Sequence, residues 1–288
     1  MRALAEFIMR GRMQASVVAL LGSWFPLISP ATVALVGLRR GAQDGMLILL
    51  WAVLPSLATL FVGDLGLLMT LFTLAGLLTT FAVALMLSSR FSWSQSLIGL
   101  VVLSSFFGLL LNVLTPDSIQ MVVNLLAEKL EQIQAQADQA PAIMMPSLVF
   151  VIGLISYVIA INSLLSLLLA RWWQATLYNP GGFQTEFHLL RLGPVQTLIC
   201  IVAMVFCGLQ GEDYQAWLSL MGLPLLLAGI ALVHHVANIR NMGGQWLVLF
   251  YLMLLLFNPI ILVLMAVAAL DTWINFRTRI AAKDLDLQ

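Results

Sequence analysis

Charged residues are scarce in this sequence. Of its 288 residues, 9% are Asp, Glu, Lys or Arg and 61% are hydrophobic, and the formal net charge at pH 7 is zero. Soluble globular domains contain about 25% charged residues. The composition therefore excludes an ordinary soluble domain, because too few polar side chains remain to cover its surface. The absence of a basic run also argues against nucleic acid as a partner.

Cysteines and catalytic motifs are scarce as well. Cys200 and Cys207 lie seven positions apart in one apolar segment, which on a helix separates their Cα atoms by about 10 Å, too far for a disulfide. The adjacent His234 and His235 would point about 100° apart on a helix, so they do not make the i, i+4 pair that chelates a metal. His188 would join them only through folding. With no G-x-S-x-G, H-E-x-x-H, P-loop or C-x-x-C motif, the sequence favours a non-enzymatic protein without a metal or cofactor.

Long apolar runs are what the sequence has instead. The mean hydropathy is +1.02, and runs of about 20 apolar residues match the length of a helix that crosses a lipid bilayer. These runs predict an all-α polytopic membrane protein that forms a single domain, 1–288. Six segments have the length and composition of full spans: 42–62, 65–87, 95–115, 147–170, 193–210 and 214–236.

Two further apolar stretches are interrupted by proline. The first, 13–38, contains Pro26 and Pro30, and the second, 246–276, contains Asn258-Pro259 near its middle. The second would be about 46 Å long as one straight helix, against a hydrocarbon core of about 30 Å. Irregular backbone at membrane depth is tolerated where protein buries it or where it lines a cavity. We therefore expect both broken stretches to pack against the bundle.

The distribution of Lys and Arg distinguishes two topologies. If all eight segments cross the membrane, these residues divide seven against six between its two sides, and no bias results. If the two broken stretches return to the side from which they enter, every Lys and Arg except Lys129 lies on one side, twelve against one. Cytoplasmic loops carry an excess of Lys and Arg. We therefore predict a bundle of six full transmembrane helices flanked by two proline-broken hairpins, with both termini cytoplasmic.

One long external connection follows the third predicted span. In residues 117–139 the apolar side chains recur at helical spacing, and the remaining residues are rich in Gln and Glu. This pattern predicts an amphipathic helix that lies on the outer membrane face or caps the bundle.

The most polar stretch, 171–192, is predicted to be a cytoplasmic interfacial loop between the fourth and fifth spans. Residues 178–182 have the composition of a turn, and the residues after them predict a short amphipathic helix. One interpretation is that polar residues of this loop converge on a ligand or a partner protein. The candidates are Arg171, Gln174, Asn179, Gly181, Gly182, Glu186 and Arg191. The other interpretation is an interfacial elbow held by an Arg–Glu pair, since Trp, Arg and Gly are common at membrane edges.

Two asparagines lie within predicted spans. Asn112 and Asn162 either tie helices together through hydrogen bonds or mark a substrate pathway. No Asp, Glu, Lys or Arg lies at the centre of any of the six predicted spans, which argues against a pump with a buried carboxylate relay. Near the end of the second broken stretch, Asp271 and Arg277 are nearly two helical turns apart, so we expect each to pair elsewhere.

Three motifs together resemble a known family. They are GLRRG at 37–41, RWWQATLYNPGGFQTEFHLLRL at 171–192 and DTWINFRTR at 271–279. With them the chain resembles the YybS-like family of bacterial integral membrane proteins. That family is similar in turn to the S-components of energy-coupling-factor vitamin transporters, which are six-helix bundles, and to the rod-shape protein MreD.

The resemblance implies both a location and a function. It implies a multi-pass protein of the bacterial cytoplasmic membrane that binds a small molecule and works in transport with another membrane or cytoplasmic protein. The alternative is a membrane scaffold of the cell-envelope or division machinery, similar to MreD. A third hypothesis, a membrane enzyme, is the least favoured because the sequence shows no catalytic set. S-components often dock through an A-x-x-x-A face on their first helix. Ala15 and Ala19 have this spacing, which also suits any close packing of helices.

Overall fold

The computed structural model describes residues 1–89, 91–136 and 145–279, and within these ranges the chain is helical and contains no strand. The helices are α1 (Arg2–Arg10), α2 (Arg12–Leu21), α3 (Ile28–Arg40), α4 (Ala42–Ala58), α5 (Gly66–Ser88), α6 (Trp93–Leu114), α7 (Pro116–Gln136), α8 (Leu148–Tyr178), α9 (Gly182–His188), α10 (Pro194–Leu209), α11 (Gln215–Ile239), α12 (Gly244–Leu256) and α13 (Asn258–Ile274).

Several of these helices are long and apolar enough to cross a membrane. Five stretches meet that requirement: Ala42–Phe61, Gly66–Ser88, Trp93–Leu114, Leu148–Tyr178 and Glu212–Ile239. The bent pair of α12 and α13 makes a sixth if the pair is counted as one span. The described residues therefore confirm the prediction of an all-α polypeptide with several helices that are long and apolar enough to cross a membrane.

The α1–α2, α3–α4 and α8–α9 connections lie together at one end of the molecule, which we call the basic end. There Arg12 binds Asp44, with Nη2 and Oδ1 2.7 Å apart. The guanidinium of Arg39 lies 4.2 Å from the centre of the Tyr178 ring, a cation–π contact that joins α3 to α8. Connections far apart in the sequence are therefore fixed to one another at this end.

The α4–α5, α6–α7 and α10–α11 connections lie at the other end, which we call the acidic end. The Ser118 hydroxyl donates to the backbone carbonyl of Asp64 at 3.4 Å, which places the start of α7 beside the α4–α5 turn. The predicted amphipathic helix is present and buries Ile119 and Val123 against the start of α8. The last three residues of the predicted segment 117–139 lie outside the described residues.

The first proline-broken stretch folds back on itself. Helix α2 ends in a short 3₁₀ turn, and Leu27 then adopts a left-handed backbone with φ of 69° before α3 begins. The Ser29 hydroxyl donates to the carbonyl of Ala19 at 2.7 Å. At the basic end, Arg40 Nη2 donates to the carbonyl of Met9 at 2.6 Å. The beginning of α2 and the end of α3 therefore lie side by side.

This first broken stretch packs into the bundle, as expected. Residues Ala31 to Leu35 of α3 are completely buried, because α4, α5 and α8 surround that helix. Ala15 and Ala19 are also completely buried. Their A-x-x-x-A spacing therefore serves packing within this chain and leaves no exposed docking face there.

The second broken stretch behaves differently in its two halves. Helices α12 and α13 meet at an angle of 114°. Helix α13 packs along α11, where Leu264 lies against Gly229, but α12 buries none of its residues. This stretch therefore packs closely against the bundle only through α13, and α12 contacts the bundle loosely, as Tyr251 does with His234 of α11. The residues of α12 are apolar on every side, so lipid can take the place of protein around most of the helix.

Two predicted boundaries also change. Helix α10, the counterpart of the predicted span 193–210, has 16 residues and is only about 24 Å long. Helix α8 has 31 residues and continues to Tyr178, so residues 171–178 of the predicted interfacial loop are helical. Arg171 reaches Glu186 of α9, whereas Gln174 and Thr176 form hydrogen bonds within α8 itself, so these polar side chains are compatible with a continuous helix.

Candidate functional site

The turn predicted after Tyr178 is present and redirects the chain at the basic end. Pro180 cannot continue a helix because it lacks a backbone N–H. Gly181 follows with φ of 83°, a left-handed conformation that glycine adopts without steric cost. The seven residues of α9 follow, and an extended segment then leads into α10. We call residues 171–192 the elbow.

An ion pair holds the elbow. Arg171 Nη2 lies 2.8 Å from Glu186 Oε2, and its Nε donates to both carboxylate oxygens at 3.0 and 3.1 Å. Arg171 also donates to the side-chain oxygen of Gln174. The indole N–H of Trp93, at the start of α6, donates to Glu186 Oε1. Three candidate residues therefore meet, but they bind one another and Trp93, as in the elbow interpretation.

The other candidate residues of the elbow do not join this network. Asn179 is exposed, and its carbonyl accepts the Gly182 N–H at 2.9 Å. Arg191 is exposed in the segment between α9 and α10. Gly181, at the start of α9, lines a pocket. Asn179, Gly181 and Gly182 therefore belong to the turn, and Arg191 lies apart from them after α9.

That pocket, which we call the elbow pocket, has a volume of about 510 Å³. Its lining consists of Leu168, Trp172, Ala175, Thr176, Gly181, Phe183, Gln184, Phe187, His188, His234 and Tyr251. Aromatic rings dominate this set, and no carboxylate, Lys or Arg belongs to it. The sequence predicted the short helix that carries Phe183 and Phe187, but nothing in it placed His234 and Tyr251 beside them.

Folding brings the three histidines of the chain together. The His188 ring centre lies 6.3 Å from that of His234 and 6.2 Å from that of His235. The Tyr251 hydroxyl is 2.8 Å from His234 Nε2. Burial lowers the pKa of His188, and the two other histidines and Arg277 lower it further. His188 is therefore neutral at neutral pH. Among the described residues, no group of three or more His, Cys, Asp or Glu side chains is placed to hold a metal ion.

Arg277 fastens the end of α13 beside the elbow. Its Nη1 donates to the carbonyl of His188 at 2.7 Å and its Nη2 to that of Leu190 at 2.6 Å. Its Nε lies 3.3 Å from Asp271 Oδ2, and both side chains are almost fully buried. Burial lowers the pKa of Arg277, but Asp271 opposes this effect, and a guanidinium stays charged in proteins.

The expectation that Asp271 and Arg277 pair elsewhere is therefore wrong. It assumed that one straight helix carries both residues. Instead α13 ends at Ile274, and Asn275 takes a left-handed conformation with φ of 53°, which turns the chain back. The carboxylate of Asp271 then accepts the Phe276 N–H at 2.7 Å and faces Arg277.

The two candidate asparagines lie in different surroundings. Asn112 is half-buried on α6. Asn162 is exposed on α8 and lines a second pocket of about 210 Å³, at the break between α2 and α3. We call it the break pocket; the other residues that line it are Ser23, Phe25, Pro26, Leu27, Ser29, Pro30, Ala52, Phe72, Thr73, Gly76, Leu77 and Ile159. Asn112 does not line it, so the two asparagines do not form one site.

Comparison of the chain with protein-family models, with curated proteins and with solved structures found no match. The resemblance to YybS-like proteins therefore stays a prediction from the three motifs.

Proposed function

We propose that the chain is a multi-pass protein of the bacterial cytoplasmic membrane with six crossings and two hairpins. The crossings are α4, α5, α6, α8, α10 and α11. The contact of Arg40 with Met9 supports the first hairpin, because it joins the end of α3 to the end of α1, next to the start of α2. The contact of Arg277 with His188 supports the second, because α13 ends beside the elbow, which also binds the end of α11 through Gln184 and Asn238.

Cysteine labelling tests this topology. The background is a variant in which Cys200 and Cys207, both buried, are replaced by alanine. A membrane-impermeant maleimide added to intact cells is expected to label Ser118→Cys, at the acidic end, and to label Gln184→Cys only after the cells are opened. Labelling of both positions in intact cells would contradict the proposed topology.

We further propose that the protein binds a small molecule and acts as a transport-related subunit, without catalysing a reaction itself. The break pocket is the observation that carries this proposal. It lies where α2 and α3 are interrupted, between α5 and α8, and its lining combines apolar residues with the polar groups of Ser23, Ser29, Thr73 and Asn162. Interrupted helices form the substrate sites of many transporters, because their ends present free backbone groups to the ligand.

A pair of asparagine variants tests the binding site. The purified protein is screened for thermal stabilisation by a panel of small neutral and zwitterionic metabolites, since a ligand that binds only the folded state raises its stability. Any stabilising compound is expected to lose its effect on Asn162→Leu and to keep it on Asn112→Leu. Equal thermal stabilisation of the two variants by the compound would show that it does not bind in the break pocket.

Crosslinking in living cells tests which protein is the partner of the proposed transport subunit. A tagged chain is crosslinked, extracted gently and examined by mass spectrometry. An ATPase together with a membrane coupling subunit is the expected result for a transport subunit. Enrichment of wall-synthesis or division proteins would favour the scaffold instead. Helix α12 is the observation that supports this second candidate, because it is apolar and buries none of its residues in the chain itself.

A further inference from the structure

The elbow pocket has features that the break pocket and the proposed transport role leave unexplained. It lies at the basic end, beside Trp172, at the kind of position that tryptophan occupies at membrane–water boundaries. Its volume of about 510 Å³ falls in the range of small-molecule sites, about 300–1,000 Å³. Four helices, α8, α9, α11 and α12, contribute to its wall.

The lining of the elbow pocket defines the chemistry of a ligand. Its aromatic side chains include Trp172, Phe183 and Phe187, and the rings of Phe183 and Phe187 stack with their centres 5.9 Å apart. A flat ring would gain favourable stacking contacts among them. An anion would meet no Lys or Arg in the lining, and a cation would meet no carboxylate. The lining therefore favours a ligand whose inserted part is planar and uncharged.

Hydrogen-bonding groups stand beside these rings. His188 is 8% exposed, and His234 and Tyr251 face each other across 2.8 Å. A neutral imidazole offers one N–H donor, and the tyrosine hydroxyl can also donate. Because His234 and Tyr251 bind each other, the pair keeps one N–H or O–H to donate to a ligand. A lipid acyl chain in this pocket would offer no acceptor to that donor or to the His188 N–H, at a cost in free energy. Oxygen acceptors on the ring of a ligand would satisfy them.

A second groove beside the elbow pocket can take an apolar tail. It has a volume of about 580 Å³ and lies between α11, α12 and α13. Phe250 of α12 lines this groove, and the next residue, Tyr251, lines the elbow pocket. Apart from the indole of Trp246, the side chains that line the groove are entirely apolar. Successive residues of a helix point about 100° apart, so the groove and the elbow pocket lie on neighbouring faces of α12.

We propose that the elbow pocket binds the ring of a membrane quinone. Such a molecule joins a planar, uncharged ring with two carbonyl oxygens to an apolar tail. The ring stacks among Trp172, Phe183 and Phe187, and its carbonyl oxygens accept hydrogen bonds from His188 and from the His234–Tyr251 pair. The tail follows the groove along α12 towards the lipid. This binding is independent of the break pocket.

Decylubiquinone is the probe for this proposal. The full chain is reconstituted in phosphatidylcholine nanodiscs, and quenching of tryptophan fluorescence is titrated, with empty nanodiscs correcting for partition of the probe into lipid. We expect saturable quenching. Tyr251→Phe is expected to weaken binding about fivefold, the equivalent of one neutral hydrogen bond. The matched variant Tyr157→Phe, on α8 outside the elbow pocket, is expected to bind like the unmodified chain.

Three results would overturn the proposal. The first is quenching that never saturates or that equals the effect of lipid alone. The second is an unchanged affinity in both Tyr251→Phe and His234→Leu, since the second variant removes the imidazole as well. The third is displacement of the probe by an equal concentration of decanol, which would show that the pocket takes apolar chains without recognising a ring.

Discussion

Replacement of Arg277 by methionine should strongly destabilise the protein, because it removes the partner of a buried carboxylate. The carboxylate of Asp271 would remain in a site where its side chain is 2% exposed, with the Phe276 N–H as its remaining hydrogen-bond donor in the described structure. The carbonyls of His188 and Leu190 would also lose the donor that holds them.

The magnitude follows from these losses. Removal of one partner from a buried ion pair costs about 3–5 kcal/mol, because the other charge is left uncompensated. Each buried acceptor without a donor costs about 1–3 kcal/mol, although water that enters the site recovers part of this. We therefore expect Arg277→Met to lower the free energy of unfolding by about 5 kcal/mol. Arg279→Met, at an exposed position two residues away, is the matched control and should change little.

Unfolding by sodium dodecyl sulfate in mixed micelles, followed by tryptophan fluorescence, measures these differences. Asp271→Asn, made in the Arg277→Met background, should restore part of the lost stability, because the amide removes the unpaired charge and still accepts the Phe276 N–H. Additive losses in this double variant, or a loss below about 1 kcal/mol in Arg277→Met, would refute the reasoning that charge burial controls this site.

Three further predictions concern the same fold. Glu186→Gln should lower the unfolding free energy by about 1 kcal/mol, since its ion pair with Arg171 is partly exposed. The control Glu6→Gln, in an ion pair open to water, should have no measurable effect. Equal losses of stability in the two variants would contradict a stabilising role of the Arg171–Glu186 pair. Burial holds the pKa of His188 below its usual value, so the unfolded chain binds the proton more readily. The free energy of unfolding should therefore fall as the pH drops below about 6.5. His188→Gln should weaken this pH dependence, and an unchanged pH profile in that variant would exclude His188 as its cause. A side chain at Gly108 would clash with Ser156 of α8, so Gly108→Val should lower the free energy of unfolding by about 1–3 kcal/mol. Gly76→Ala, at a position with open space around it, should be tolerated. Thermal unfolding of both variants measures the difference.

The helices of the fold could be predicted because lipid imposes a simple requirement on sequence. A segment that crosses the bilayer must satisfy all its backbone hydrogen bonds internally and must be about 20 residues long. The runs at 65–87 and 95–115 meet this requirement without help from the rest of the fold, and the observed helices α5 and α6 have nearly those bounds. The proline-broken stretches were equally visible, since proline removes a helical hydrogen bond.

The site could be predicted only where local chemistry decides it. The turn at 178–182 depends on adjacent residues, so its sequence indicates it directly. The Glu186–Trp93 contact joins residues 93 positions apart, and the helical packing that brings them together leaves no local signal. The Asp271–Arg277 pair was missed because a single left-handed residue, Asn275, reversed the chain. Close packing of α12 was expected because its stretch is broken at Asn258-Pro259, but the apolar pattern of the helix does not distinguish a protein neighbour from lipid.

The separation of the two ends has an electrical consequence. At the basic end, Glu6, Asp44, Glu186 and Asp271 all have arginine partners, and further arginines lie in the same loops. The acidic end carries Asp64, Glu212 and Asp213 in its loops. In the proposed orientation, the molecule is a dipole aligned with a potential that is negative inside the cell. Each elementary charge moved across the membrane against that potential costs about 2.3 kcal/mol per 100 mV. An energised membrane therefore opposes a change of this protein to the inverted orientation, in addition to the free-energy cost of moving its polar loops through the lipid.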